Sequence, residues 1–338
     1  MRLNVHNLRN NDDWGDGLSA LGSDICRAVA IAILGKDDGL RIHTFPAEPE
    51  ALAALKAGTI QLAATISPDT TIATQYGVAF GPPIFYDTQR LLTSHTNGIT
   101  QLADLHDQLI CVLDLTQPAQ TLSDEMSERG IPYAVMAHSE QGEMDAAIAV
   151  RHCAAGTAME TRLAESRQGF HALTSDFDFL PERLGLEPIV PTYRYGDQIF
   201  GLIVDWTVYA LIEAEALGIT KANVTAADGR EDIRAQRLLG GDFAAAQALG
   251  LPHDWAAKVI AALGNYGEIF ARTTTGGPYH LDPRPEPAVD RGRADAPITH
   301  PLIETRDIYR SMGQPPPNQP DKVGPNALSI NQSVIRSA

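Results

Sequence analysis

Strand and helix patterns alternate twice along the first half of the chain, and that alternation restricts the fold more than any other feature. Leu3 to Asn7 reads as a strand. Ser23 to Leu34 places Ile25, Val29 and Ile33 on one helical face, with Ser19 or Ser23 as a cap and Gly35 as the stop. Leu40 to Phe45 (strand), Glu48 to Lys56 (helix, ended near Gly58) and Thr59 to Thr65 (strand) complete a first βαβαβ run. A second begins after Asn97: strand Leu109 to Leu113, helix Pro118 to Arg129, strand Tyr133 to Met136, helix Glu140 to Val150, and a short strand from Cys153 to Thr157. Such order implies mostly parallel sheets covered by helices, with ligands beyond the C-terminal ends of the strands.

Length agrees with two units. At 338 residues the chain exceeds the roughly 250–300 residues at which one hydrophobic core stops growing. From Gly201 the pattern turns helical, with Trp206 to Leu217, Ile233 to Leu239 and Trp255 to Phe270 as helices. Past Arg272 it changes again: eleven of the 22 prolines fall in residues 273–338, a composition that favours an extended tail over a packed core. Residues 315–320 (PPPNQP) read either as a polyproline recognition element or as a stiff spacer.

A net charge of −16 opposes nucleic acid and anionic membrane surfaces as partners, because both repel an acidic protein. No apolar run approaches the roughly 18 residues of a membrane span. The N-terminus runs from Met1 directly into strand pattern, without the basic, apolar and small-residue order of an export signal, so the signal either has been removed or was never there. Three cysteines, Cys26, Cys111 and Cys153, leave room for one disulfide, but buried free thiols are the expectation. His152 beside Cys153 suggests a metal, yet no further ligand stands at useful spacing, so no metal and no cofactor are expected.

Residues 24–30 (DICRAVA), 205–215 (DWTVYALIEAE) and 264–270 (GNYGEIF) resemble the substrate-binding proteins of general L-amino-acid ABC transporters. Weaker matches follow in the same order at 85–89 (FYDTQ), 105–112, 180–182, 194–197 and 237–240, so the resemblance covers Leu3 to Arg272 and leaves the tail outside it. It implies the type II periplasmic-binding architecture: two α/β lobes joined by crossing strands and closing on a ligand. The crossings are expected near Ile84 to Ser94 and Glu187 to Gly196. Lobe 1 would then comprise residues 1–95 and 196–272, lobe 2 residues 96–195, and the tail 273–338. The resemblance also implies a periplasmic location, and delivery of a small polar ligand to an ABC permease.

A cleft of this kind grips a zwitterion with a bidentate Arg for the carboxylate, N–H groups at a helix N-terminus, and an Asp for the ammonium. Each device that the family resemblance implies is altered here. The stretch that should carry the Arg, Ala64 to Gln75, contains neither Arg nor Lys; losing that grip costs a carboxylate ligand roughly 2–5 kcal/mol. The helix-N-terminal turn reads Asp114-Leu-Thr-Gln-Pro118, in which Pro118 removes a donor, Asp114 repels a carboxylate and Thr116 survives. The ammonium-binding Asp falls on Met159, with Glu160 one residue away, and the covering aromatic is replaced by Leu21. Arg90 and Glu160 stand as substitutes for the lost groups.

The candidate ligand residues are therefore Thr65, Ser67, Asp69, Thr70, Tyr86, Gln89, Asp114, Thr116, Met159 and Glu160. Each has a plainer structural role as an alternative: Ser67 to Thr71 also makes an ordinary capped turn, and Tyr86 and Gln89 also brace a crossing strand. No nucleophile–base pattern appears, and Asp69, Asp114 and Glu160 are the sole acid–base candidates for catalysis, so the chain reads as a binding protein and not an enzyme. The favoured reading is a solute-binding protein with an altered ligand. The alternative is a binding fold repurposed as a subunit or scaffold that docks through its tail.

Overall fold

The computed structural model describes residues 3–8, 17–45, 48–114, 116–227, 232–241 and 243–275, all within the contact unit Met1–Pro285. In chain order the elements begin β1 (Leu3–Leu8), α1 (Gly17–Leu34), β2 (Leu40–Phe45), α2 (Glu48–Ala57), β3 (Leu62–Ile66), α3 (Thr70–Tyr76), β4 (Val78–Phe80) and β5 (Phe85–Ser94). There follow β6 (Leu109–Leu113), α4 (Gln117–Glu128), β7 (Ala134–His138), α5 (Gln141–Ala149), β8 (Ala155–Met159), α6 (Glu160–Gly169), β9 (Phe177–Phe179) and β10 (Gly185–Arg194). The helical remainder is α7 (Gln198–Ala216), α8 (Val224–Ala227), α9 (Ile233–Gln236), α10 (Phe243–Ala248), α11 (Trp255–Leu263) and α12 (Tyr266–Phe270). The polyproline segment and the rest of the tail from residue 276, together with the polar loop after β1, lie outside the described residues.

The strands form one connected path, β2-β1-β3-β10-β5-β8-β6-β7, with β4 on β10 and β9 on β5. Its two halves share one plan. In the first, β1 lies between β2 and β3, all parallel, and antiparallel β10 closes the set. In the second, β6 lies between β7 and β8, all parallel, and antiparallel β5 closes it. Strand β10 belongs to both halves: residues 185–189 pair with β5, and residues 190–194 with β3 and β4. Both crossings expected from sequence are thus strands, β5 and β10.

Each sheet is covered on both faces. Leu62 and Ala64 of β3 join Cys26, Val29 and Ala30 of α1 and Ile203 and Val204 of α7, while Ala63 and Ile66 pack on Leu52 and Leu55 of α2. In β6 the alternation is equally clean: Ile110 and Val112 face Leu122 and Met126 of α4, and Cys111 faces Met144 and Ile148 of α5. At several places the layers approach so closely that a side chain on glycine would force a neighbour to shift, Gly22 and Gly156 among them. A Cβ on Gly22 of α1 would stand 2.7 Å from Thr65 Cγ2, and one on Gly156 of β8 would collide with Ile148 Cδ1.

The segments carrying the family resemblance are structural ties of the first half. Asp24 holds both Arg27 (3.0 Å) and Arg272 (2.7 Å). Asn265 and Glu268 form a reciprocal capping box at the start of α12, and the Tyr266 hydroxyl donates to Ile84 O (2.5 Å) at the entrance to β5. The Tyr193 hydroxyl donates to Asp205 (3.3 Å), whose carboxyl burial pushes up to about 6.

The expectation of three free thiols is corrected. Cys111 and Cys153 form a disulfide with Cα atoms 5.6 Å apart, because parallel pairing of β6 with β8 brings together residues 42 positions apart. Cys26 stays free and fully buried, and burial drives its thiol well above the ordinary range.

Candidate ligand-binding site

In a parallel sheet the loops leaving the strand C-termini define the binding edge. Here four such exits place an acidic residue within three residues of the strand end: Glu48 after β2, Asp69 after β3, Asp114 after β6 and Glu160 after β8. None of the stretches 46–48, 67–69, 114–116 and 159–160 carries Lys or Arg. Glu48 titrates above the usual carboxylate range because burial disfavours its charge and Glu187, on the shared strand β10, adds repulsion.

Around β3 the candidate residues behave as follows. Thr65 is 3 % exposed, and its Oγ1 has no hydrogen-bond partner among the described residues. Ser67 leads into Asp69, whose Oδ1 accepts from Thr71 N (2.6 Å) and Ile72 N (3.1 Å) and so caps α3. Those bonds, Ile72 first, hold the Asp69 carboxyl below its ordinary range. Thr70 is exposed as the first residue of α3, and its carbonyl accepts from Thr74 Oγ1 (2.9 Å). Leu21, placed by resemblance where an aromatic would cover a ligand, is fully buried in the core between α1, α7 and α12.

Around β6 and β8 the polar groups are engaged with one another. Arg90 Nη1 donates to Glu160 Oε1 at 3.0 Å, with the two side chains only 8 % and 13 % exposed. Arg90 also gives Nε and Nη2 to Leu180 O (3.1 and 2.7 Å) and lies 5.1 Å from the Phe179 ring centroid. Gln89 Nε2 donates to Pro118 O (2.7 Å) and Thr157 Oγ1 (3.0 Å), bracing β5 against the first turn of α4 and against β8. Tyr86 is half-buried and paired with Pro188 in the crossing. The Thr116 hydroxyl turns back to Leu113 O (2.7 Å), Asp114 is exposed with its N–H on His138 O (2.8 Å), and Met159, opposite Gln89, is the N-cap residue of α6.

Sequence reasoning missed Asp87. It sits in the crossing strand, 4 % exposed, and accepts from Thr88 N (2.9 Å) and from the N–H and hydroxyl of Thr161 in the first turn of α6. Burial pushes its carboxyl up to about 6 against the lowering effect of these bonds, and neighbouring Glu160 adds a little. The signal was its place inside residues 85–89, the segment already matched by resemblance. His152, the neighbour of Cys153 in sequence, is exposed, and the ring beside the cysteines belongs to His138.

Two α/β lobes built on one plan and joined by paired crossing strands define a type II periplasmic binding protein. A solved ABC transporter periplasmic binding protein from Brucella ovis with glutathione bound superposes with a TM-score of 0.70 at 29% identity, over 83% of this chain and 90% of that one. The chain is 33% identical over 255 residues to the glutamate/glutamine/aspartate/asparagine-binding protein of Rhodobacter capsulatus, covering 73% of each. It is also 33% identical over 257 residues to the general L-amino acid-binding periplasmic protein of Rhizobium johnstonii, covering 74% of this chain and 73% of that one. No protein-family model matches it. The chain belongs to the family of periplasmic amino-acid-binding proteins of ABC transporters. No helix among the described residues is long and apolar enough to cross a membrane.

Proposed function

We propose that this chain is the periplasmic solute-binding component of an ABC importer, and that its ligand is a small polar molecule without a free carboxylate, neutral or cationic. The observation that carries this reading is the charge of the binding edge: Glu48, Asp69 and Asp114 follow three strands with no Lys or Arg beside them in sequence, and at the fourth exit Arg90 and Glu160 are spent on each other, with Arg90 also on Leu180 O. An amino-acid carboxylate placed there meets repulsion and no cationic fork. The ligands of the curated relatives, and the glutathione of the Brucella ovis protein, all carry carboxylates, so this chain has moved away from them.

In this reading Thr65, Ser67, Thr70, Tyr86 and Gln89 supply neutral polar contacts, Asp69 and Asp114 set the charge, Glu160 holds Arg90 away from the ligand, and Thr116 and Met159 line the lobe-2 wall. The lobes are residues 1–95 with 196–272, and 96–195, rocking about β5 and β10 to present a closed form to the permease. The chain binds and does not catalyse; Asp69 as a helix cap and Glu160 in an ion pair are poor proton-transfer groups.

Thermal shift with the full chain tests it. A ligand at a hundredfold excess over Kd adds about 2.7 kcal/mol. Neutral or cationic polar solutes are expected to raise Tm, with L-glutamate, L-aspartate and glutathione giving no rise; stabilisation by the acidic set alone sinks the reading. The second reading, a subunit or scaffold docking through residues 273–338, draws on the proline-rich composition of that segment. A chain that shifts with no solute, and loses a co-purifying partner when the segment is deleted, favours it.

A further inference from the structure

The side chains of β6, β7 and the approach to β8 bring together a donor set that solute binding does not use. Cys111 Sγ lies 3.3 Å from His138 Nε2, and the two cysteine sulfurs and a ring nitrogen all fall within 4.8 Å of one another. Met136 precedes His138 by two positions and so shares its face of β7; its Sδ stands 3.9 Å from Cys153 Sγ. Both cysteines are buried in the α5-side core, Met136 packs against that core, and half-buried His138 closes the solvent side.

We propose that, once the Cys111–Cys153 bond is reduced, these residues form a binding site for Cu(I). The chemistry of the donors selects the ion. Two thiolates, an imidazole and a thioether form a soft set; thiolate and thioether together favour Cu(I), whereas the usual protein ligands of zinc are thiolate, imidazole and carboxylate. Carboxylates, which would attract harder ions, are not part of the cluster. In the reducing step a dithiol gives two electrons and two protons to the disulfide: the protein S–S bond breaks to two thiols, and the reductant closes to its own disulfide. Cu(I) then displaces both thiol protons to solvent, and the imidazole coordinates in its neutral form.

Disulfide and copper clip are mutually exclusive states of one cross-link. Each ties β6 to the start of β8, so the ion replaces in the reduced chain the restraint that the disulfide supplies in the oxidised one. His138 is the entry side, since it is the one partly exposed member of the trio.

The test uses the full chain carrying Cys26→Ala, which removes the remaining thiol. After dithiothreitol treatment and anaerobic desalting, Cu(I) is titrated against a chromogenic Cu(I) chelator. The reduced protein is expected to hold one equivalent and the oxidised protein none. His138→Asn and Met136→Leu, which keep the disulfide, are expected to weaken retention, the first by at least about tenfold. Copper binding is also expected to raise the Tm of the reduced protein toward that of the oxidised one. The proposal is overturned if protein with two titratable thiols fails to hold Cu(I) against the chelator, or if the oxidised protein holds as much. It is equally overturned if both β7 variants bind like the parent, or if the reduced site prefers Zn(II).

Discussion

The two sheets follow the same strand order yet spend their polar residues differently. In the sheet centred on β6, the side chains at the binding edge are tied to one another, Arg90 to Glu160, Asp87 to Thr161, and Gln89 to Pro118 and Thr157, while the Cys111–Cys153 bond ties β6 to the residues before β8, away from that edge. In the sheet centred on β1, Thr65 Oγ1 finds no partner among the described residues, Glu48 is half-buried against Glu187, and the ties sit deep in the scaffold at Asp24, Asp205 and Asn265. One lobe is thus braced at its rim and the other in its body. Under the proposed function, the braced rim is the wall that closes and the other rim presents groups to the ligand.

The sharpest way to break this contrast is to unbrace the second lobe. A 42-residue disulfide loop contributes about 4 kcal/mol by the chain-entropy account. Cys111→Ser with Cys153→Ser is expected to lose that amount in chemical denaturation, whereas Cys26→Ser in the first lobe costs far less. Equal losses would remove the asymmetry.

Next comes the buried ion pair. Arg90→Met leaves Glu160 buried without its cation and is expected to cost about 3 kcal/mol; adding Glu160→Leu should restore much of it. If the double variant is as unstable as the single one, the pair is not the source of the bracing.

A pH titration separates the two carboxyls by the size of the effect, its sign being shared. Asp87 in the crossing and Asp205 in the first lobe both titrate near 6 when folded, against 3.8 for an ordinary Asp. A raised folded pKa means that stability is fully present below about pH 4 and is lost as pH rises through 6. For Asp87 the loss is on the order of 2–3 kcal/mol. Asp87→Asn is expected to flatten that part of the profile in unfolding measurements, leaving the more exposed Asp205 with a smaller slope. A profile that rises over this interval and is unchanged by Asp87→Asn would contradict the assignment.

The smallest effect probes one close approach in each lobe. Gly156→Ala meets Ile148 in the second lobe and Gly22→Ala meets Thr65 in the first; each overpacks by about 1–2 kcal/mol. Gly22→Ala is also expected to weaken ligand binding, because it pushes on Thr65 at the exit of β3, and Gly156→Ala is not. Stability and binding measured on both variants check this.

Much of the fold was legible because strand and helix periods are local. The alternation along residues 3–65 and 109–157 sets both parallel sheets, and the match at residues 85–89 marks a crossing. Helix α1 starts at Gly17, six residues before the periodic face begins at Ser23, because Leu21 is buried by the later helices α7 and α12 and needs no pattern of its own. The site was only half legible. Loops at strand ends follow from topology, so the positions of Thr65, Asp69, Asp114 and Glu160 at or after the ends of β3, β6 and β8 could be read from the strand pattern. Partners follow from register: Arg90 and Glu160 are 70 residues apart, Cys111 and Cys153 are 42 apart, and Met136 and His138 reach the cysteines only because β7 pairs with β6. The strongest family segments turned out to hold the scaffold together, which is why resemblance fixed the architecture more firmly than the ligand.

The central claim concerns the α-carboxylate, so the most direct measurement is calorimetric titration of the full chain with matched pairs, each an L-amino acid and the amine left by its decarboxylation. L-Arginine with agmatine and L-lysine with cadaverine remove that one group while keeping the rest. The acidic edge predicts that in any pair that binds, the amine binds at least as tightly as the amino acid. Micromolar binding of the amino acids, with the amines silent, would contradict it.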